Sequence, residues 1–237
     1  MADNPAGGVL APNPDEVSLV DLDDFLELEP DPSQQNTSKV VNMPSADRMA
    51  IVGIFVDDSG SMSGLSRSVI DGLNTSVEAF KGAKGSDFLL DVYGFCGRYY
   101  DGMLKDIPDD AFRRYSPDYN STPLISHSVE QLNRIREKAK QYRNMGIPTT
   151  VALLIITDGL PNYESMEPKE FGGHVEPGDY IVGMGVAHPG SDTGVMEFRD
   201  LFKEMGIEDV VTPNSDPADI RHAINQFSMS VASIAGS

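Results

Sequence analysis

The chain has 237 residues and a formal net charge of −19 at pH 7, and hydrophobic residues make up 40% of it. This length allows one α/β domain with a well-buried core and an additional segment. The negative charge disfavours binding to nucleic acid and to anionic membrane surfaces. The single cysteine, Cys96, excludes a disulfide framework and fits a reducing compartment.

Neither a secretory signal nor a membrane span is visible in the sequence. The N-terminus lacks a basic region followed by an apolar core. No apolar run approaches the ~20 residues that are needed to cross a bilayer. We therefore expect a cytoplasmic protein.

Residues 1–46 form an acidic, proline-containing N-terminal arm in which Lys39 is the only basic residue. Within it, residues 18–28 have the start signal and the apolar spacing of an amphipathic helix, and residues 39–43 could form a short edge strand. Acidic segments of this kind often stay disordered and fold on a partner. Packing against the rest of the chain as an extra helix is the equal alternative.

From residue 47 onwards, strand-like and helix-like segments alternate. Six segments are predicted as strands, namely residues 49–56, 87–96, 98–104, 150–156, 180–186 and 210–212, and those at 49–56 and 150–156 are continuously apolar. Three segments have apolar residues at helical spacing, namely residues 65–84, 124–145 and 195–205. A final helix begins after Asp216, with Pro217 at its first position and a buried stripe of Ile220, Ala223, Ile224, Phe227 and Val231. Gly146 suits the end of the long helix.

This alternation predicts an α/β fold, a doubly wound and mostly parallel six-stranded sheet with helices on both faces. The apolar runs show no alternation with polar residues, which is typical of strands that are buried on both sides. In a sheet of order 3-2-1-4-5-6, the first and fourth strands are neighbours. Ligands bind beyond their carboxyl ends, where the direction of winding reverses.

Polar motifs lie at these two strand ends. The first strand is followed by Asp57-Asp58-Ser59-Gly60-Ser61, and the fourth by Thr157-Asp158-Gly159. Between them, residues 120–124 open the long helix. Thr122 fits its N-cap and Pro123 its first position.

Together these motifs resemble the metal-ion-dependent adhesion site of the von Willebrand factor A (vWA) family. The family pattern combines an Asp-x-Ser-x-Ser run with a distant Thr and a distant Asp. Here these positions are Asp57, Ser59, Ser61, Thr122 and Asp158. The resemblance covers residues 47–237 and looks closest to bacterial tellurium-resistance-type proteins. It implies that these five residues form an intact site for a divalent cation.

The chemistry of these residues agrees with a site for a hard cation. If residues 57–61 are extended, Asp57, Ser59 and Ser61 point to one side, whereas Asp58 faces solvent or lies behind the metal ligands. Hydroxyl and carboxylate oxygens suit Mg²⁺, with Mn²⁺ or Ca²⁺ as alternatives. Two carboxylates leave such an ion able to accept a further carboxylate.

The resemblance implies a binding module that captures a Glu or Asp of a partner protein through the metal, without enzymatic activity. Bacterial relatives often act beside ATPases of the MoxR type or beside kinases and phosphatases of stress responses. The resemblance therefore suggests a partner of one of these classes. The alternatives are an architectural subunit whose interface is locked by the metal and, less favoured, a metal-dependent hydrolase. Residues expected to shape specificity are Asn120, Ser121, Asn162 and Tyr163, and the last helix could shift on binding.

Two further features have simple structural interpretations. Cys96 is predicted to be a buried residue at a strand end. The long helix carries a basic stretch, Arg134, Arg136, Lys138, Lys140 and Arg143. We expect this stretch to form a solvated helix face, and the alternative is a dock for an acidic segment.

Overall fold

The computed structural model describes residues 44–187 and 194–236. All of them belong to one unit, residues 41–237. The predicted helix at 18–28 and the predicted strand at 39–43 lie outside the described residues. Within the described ranges, no helix is both long and apolar enough to span a membrane.

A single six-stranded sheet runs through the domain in the order β3-β2-β1-β4-β5-β6. All neighbouring strands are parallel except β2 and β3, which are antiparallel. This confirms the predicted fold class and strand order. The strands are β1 (Met49–Val56), β2 (Asp87–Gly94), β3 (Gly97–Met103), β4 (Thr149–Thr157), β5 (Asp179–Gly185) and β6 (Asp209–Val211).

Helices cover both faces of this sheet. They are α1 (Ser66–Gly82), α2 (Leu124–Asn144), α3 (Pro168–Gly172), α4 (Val195–Glu204) and α5 (Pro217–Gly236), with short 3-10 helices at Gly60–Leu65 and Leu104–Asp106. The sequence did not predict α3, because five residues are too few to show a helical period. Its N-terminus is held by a capping box of Glu167 and Glu170.

The central strands are buried on both faces, as their continuous apolar sequence predicted. In β1, Val52 and Ile54 belong to the core that packs under α1 and α5. Ile51 and Phe55 belong to the opposite core, which packs under α2, α3 and α4. The side-chain period of two in a strand therefore divides one apolar run between two helical layers.

Helix α4 lies very close to β5 because two glycines leave room for phenylalanine rings. A Cβ on Gly183 would lie 2.4 Å from the Phe202 ring, and one on Gly185 would lie 2.2 Å from the Phe198 ring. These contacts fix the position of α4 over the sheet. The charged residues on the exposed part of α4 are Glu197, Asp200 and Glu204 together with Arg199 and Lys203.

The helix-end predictions are confirmed at two places and wrong at one. Gly146 has a φ of 80° after α2, and Asp216 accepts the Ala218 N–H at 2.7 Å before α5. Thr122 does not cap α2, which begins at Leu124 after Pro123. The cap comes from the distant Glu164, which short-range sequence patterns cannot reveal.

The basic stretch of α2 is not a simple solvated face. Arg134 and Lys138 both bind the buried carboxylate of Asp91 on β2. Arg136 pairs with Asp179 at the start of β5. The prediction of a solvated face is therefore wrong for these three residues, because they form ion pairs with acidic residues of the sheet.

Candidate metal centre

The motifs at the ends of β1 and β4 lie side by side, because these two strands are neighbours in the sheet. The backbone N–H of Asp57 donates to the carbonyl of Ile156 at 2.8 Å, which extends the pairing beyond β1. The same edge of the sheet is the topological switch point between β2-β1 and β4-β5. The structure thus brings the two predicted ligand segments together.

Asp57 is fully buried and is held by neutral donors. Its Oδ1 accepts the Ser59 N–H at 2.8 Å, and its Oδ2 accepts the Thr157 hydroxyl at 2.6 Å. Burial raises the pKa of Asp57 to about 6; hydrogen bonds from Ser59 and Thr157 oppose the shift, and the nearby Asp158 adds to it. Keeping this buried carboxylate ionised therefore costs the folded protein free energy.

Ser59, Ser61 and Asp158 form a chain of hydrogen bonds between the two strand ends. The Ser59 and Ser61 hydroxyl oxygens are 3.0 Å apart, and Ser61 donates to Asp158 Oδ1 at 2.7 Å. The predicted extended conformation is wrong beyond Ser59, since the backbone enters a 3-10 helix at Gly60. The turn nevertheless keeps the two hydroxyls together.

Thr122 is buried, and its segment runs beside the first motif. The carbonyl of Asp58 accepts the Tyr119 N–H at 3.1 Å, and the carbonyl of Tyr119 accepts the Gly60 N–H at 3.0 Å. The side chain of Asn162 accepts the Thr122 N–H at 2.8 Å. Among the described residues, the Thr122 hydroxyl makes no hydrogen bond to the other four predicted ligands. Its place in a metal site remains a prediction.

Asp58 lies behind the site rather than in solvent. Its carboxylate is fully buried and accepts the backbone N–H groups of Phe95 at 2.9 Å and Cys96 at 3.1 Å, together with the Tyr99 hydroxyl. The solvent-facing interpretation is wrong. Gly94 leaves room for this carboxylate, because a Cβ there would lie 2.6 Å from Asp58 Oδ2.

Cys96 is exposed, so the prediction of a buried cysteine is wrong. Strand β2 ends at Gly94, and Cys96 lies in the turn to β3. Local desolvation and the carboxylates of Asp58 and Asp118 raise the pKa of its thiol to about 12. The thiol is therefore protonated at neutral pH and is a poor nucleophile.

The supporting roles of two residues were not predicted from the sequence. Thr157 holds Asp57, as described above, and Tyr115 donates its hydroxyl to the backbone carbonyl of Asp57 at 2.7 Å. The Tyr115 ring packs edge-on against Tyr99 at 5.5 Å, and burial raises the pKa of Tyr115. Thr157 could have been noticed next to Asp158. Nothing in the sequence connects Tyr115 with β1.

The residues present fit a hard cation that binds oxygen. Among the described residues, no three His, Cys, Asp or Glu side chains are grouped as in a metal site, so hydroxyl groups would have to complete the coordination. The buried carboxylate of Asp57, whose pKa burial raises, is the observation that favours a cation here. A positive charge would favour its ionised form.

No protein-family profile and no curated protein matches the sequence. Solved structures do match. Proximal thread matrix protein 1 from the mussel byssus has a TM-score of 0.56 and 16% identity, over 78% of this chain and 46% of that one. A von Willebrand factor type A protein from Catenulispora acidiphila has a TM-score of 0.53 and 13% identity, over 78% and 43%. The SpRpn10 VWA domain has a TM-score of 0.50 and 9% identity, over 75% and 94%.

These similarities concern the fold, since all identities are low. The chain spans less than half the length of the first two structures. The likeness to tellurium-resistance-type proteins is not tested by them. The strand order, the helical layers and the structural matches agree on one architecture. The described part of this chain has the α/β fold of a von Willebrand factor A domain.

Proposed function

We propose that this chain is a metal-dependent binding module that captures a carboxylate of a partner protein. The carrying observation is the hydrogen-bond chain from Ser59 through Ser61 to Asp158, beside the buried carboxylate of Asp57. This chain brings side-chain oxygen atoms from two neighbouring strand ends together at the switch point of the sheet. This is where open α/β sheets bind ligands.

The proposed ligands are Asp57, Ser59, Ser61, Thr122 and Asp158. These residues would hold Mg²⁺, which would supply an open coordination position for a further carboxylate oxygen. The chain holds its ligands in place through the Thr157 hydroxyl on Asp57 and the Asn162 amide on the backbone of Thr122. Ser61 is the exposed member of the set. The partner therefore approaches from its side.

Exposed residues around this site give the partner a surface to contact. Tyr163 is 88% exposed and has a φ of 51°, a conformation that costs energy for an aromatic residue. Tyr119 and Leu160 are also exposed large side chains on the loops next to the ligands. We propose that Tyr163 and Asn162, with Asn120 from the opposite loop, shape specificity.

The architectural alternative uses the same chemistry with a longer lifetime of the complex. A hydrolase would need a base or nucleophile close to the metal. Cys96 suits that role badly, because its raised pKa keeps the thiol protonated. The suggested partner classes, an ATPase or a kinase or phosphatase, rest on the resemblance alone.

The first experiment measures the metal directly. Titration calorimetry with MgCl₂ and with MnCl₂ compares the wild type with Asp57→Ala and with the control Asp118→Ala. Asp118 is an exposed carboxylate next to Tyr119 and outside the proposed ligand set. We expect binding to the wild type and the control, and none to Asp57→Ala. Equal binding by all three proteins would overturn the metal site.

The second experiment captures the partner. The wild type is used as bait in a native lysate with Mg²⁺ and again with a chelator, and Asp57→Ala is used with Mg²⁺. A partner that is retained only by the wild type with Mg²⁺ supports the proposal. A partner retained in all three conditions would show that the interface lies elsewhere.

A further inference from the structure

An apolar groove opens beside the proposed metal site, between the start of α2, α3 and the exposed side of α4. It encloses about 490 Å³. The β4–α3 loop forms one wall, and Leu160 in that wall is 42% exposed. The apolar lining consists of Ile125, Leu160, Pro161, Met166, Pro168 and Leu201. A groove of this composition favours the burial of an apolar side chain.

All of the charged residues that line the groove are acidic. Five carboxylates line it, and no Lys or Arg is present among its described lining residues. Glu197, Asp200 and Glu204 follow one another at helical spacing along α4 and therefore share a face. The other two are Glu164 and Glu167. This set of carboxylates is complementary to a cationic ligand.

Part of this charge already has a partner within the chain. Glu164 accepts the Ile125 N–H at 2.6 Å, and Glu167 pairs with Lys169 at 2.6 Å. Asp200 and Glu204 are exposed, and no ion pair among the described residues involves them. Their negative charge is therefore available to a ligand that lies along α4.

One loop joins the groove to the metal site. Asp158 is a proposed metal ligand, and Leu160 in the groove is two residues away, a backbone distance of at most about 7 Å. Further along the same loop, Asn162 holds the backbone of Thr122, and Glu164 caps α2. A ligand only a few residues long can therefore reach both places.

We propose that this groove, lined by Leu160 and Leu201 and edged by Asp200 and Glu204, binds a partner segment with an apolar residue and a Lys or Arg. In the full ligand, these residues lie within a few positions of the carboxylate that binds the metal. Only this last link rests on the proposed function.

The test uses two fluorescent peptides with blocked ends and the full-length protein. The first peptide contains Leu and Lys residues and no carboxylate, and the second is the same peptide with one Glu. Anisotropy titrations with the first peptide are done in chelator. We expect Asp200→Lys with Glu204→Lys to weaken binding by about tenfold or more. The control, Asp110→Lys with Glu137→Lys, makes the same change of net charge at exposed positions outside the groove. It should change binding by no more than about twofold.

The arms separate the groove from the metal site. Failure of the first peptide to bind, or equal weakening by both double variants, would overturn the groove, since the attraction would then be non-specific. Leu160→Ser should weaken the first peptide as well, because it removes apolar lining without changing charge. With Mg²⁺, the Glu-containing peptide should bind more tightly to the wild type and show no gain with Asp57→Ala. Absence of that gain would count against the proposed function and leave the groove standing.

Discussion

Two buried acidic clusters in this domain are satisfied in different ways. On β2, Asp91 is fully buried and is met by Arg134 at 3.0 Å and by Lys138 at 2.5 Å, both from α2. At the end of β1, Asp57 is equally buried, but its hydrogen bonds come from the neutral groups of Ser59 and Thr157. Within the described ranges, no salt bridge involves Asp57.

The groups that satisfy a buried carboxylate indicate whether its role is structural or whether it is available to a ligand. Asp91 carries its cations with it, so it closes the contact between α2 and the sheet. The ring of Tyr93 adds to this closure, since the Arg134 guanidinium lies 4.1 Å from its centroid. Asp57 lacks such a partner in the described structure and lies at the switch point. That combination is expected of a site that receives its cation from solution.

The largest effect should come from breaking the buried cluster of Asp91, Arg134 and Lys138. Arg134→Met leaves Asp91 with one cation and should lower the free energy of unfolding by about 3 kcal/mol. Urea denaturation in chelator measures it, with Arg67→Met, an exposed residue of α1, as the control that should change stability by less than about 0.5 kcal/mol. Equal losses in both variants would contradict the structural role of the cluster. Metal binding should be unchanged.

At the buried carboxylate of Asp57, which is held by Ser59 and Thr157, the free energy of unfolding should change in the opposite direction. Asp57→Asn removes a carboxylate whose pKa burial raises from 3.8 to about 6, so in chelator it should raise the free energy of unfolding, by at most about 3 kcal/mol. The same variant should lose all stabilisation by Mg²⁺. Thermal denaturation with and without Mg²⁺ measures both effects. A variant that is destabilised in chelator would show that Asp57 is needed for the fold itself.

The pH dependence sharpens this point. A raised pKa means that the folded protein binds the Asp57 proton more tightly than the unfolded chain does. In chelator, the wild type should therefore lose stability relative to Asp57→Asn as the pH rises from about 4 to about 6. The difference should then stay constant up to neutral pH. A flat difference over this window would refute the raised pKa.

Asp58 provides an intermediate case, because backbone N–H groups satisfy it instead of cations. Gly94→Ala brings a Cβ to 2.6 Å from its carboxylate and 2.7 Å from the Val56 carbonyl, which should cost about 2 kcal/mol. Gly82→Ala is a matched control with open space around the new Cβ. Urea denaturation compares the two. If they were equally stable, the close contact at Gly94 would be irrelevant.

The smallest effect is expected at Tyr163, on a loop next to the proposed metal site. Tyr163→Gly relieves the left-handed backbone conformation and should stabilise the domain by about 1 kcal/mol. It also removes an exposed ring and should weaken partner binding while leaving Mg²⁺ affinity unchanged. Calorimetry and partner titration separate these effects. Tyr163→Ala, which keeps the strain, should weaken partner binding alone, and unchanged binding in both variants would remove Tyr163 from the interface.

Several parts of this picture were predictable because they depend on local pattern. The apolar runs predicted β1 with its observed ends, and the six strands in alternation with helices predicted the sheet order. The predicted adjacency of the first and fourth strands, together with the family resemblance, predicted that Asp57 and Asp158 come together. The cap of α2 was not predictable in this way, because Glu164 lies 39 residues from the N–H group of Ile125 that it accepts.

The sequence by itself determined the fold class and, through the resemblance to the vWA family, the identity of the candidate ligands, since apolar runs and short motifs are local properties of the chain. Only the tertiary structure decided how each buried charge is satisfied. It turned the basic face of α2 inward to Asp91, placed Asp58 behind the site and left Asp57 with neutral donors. The physical reason is that desolvation and pairing depend on which distant segments pack together, and no local pattern encodes those neighbours.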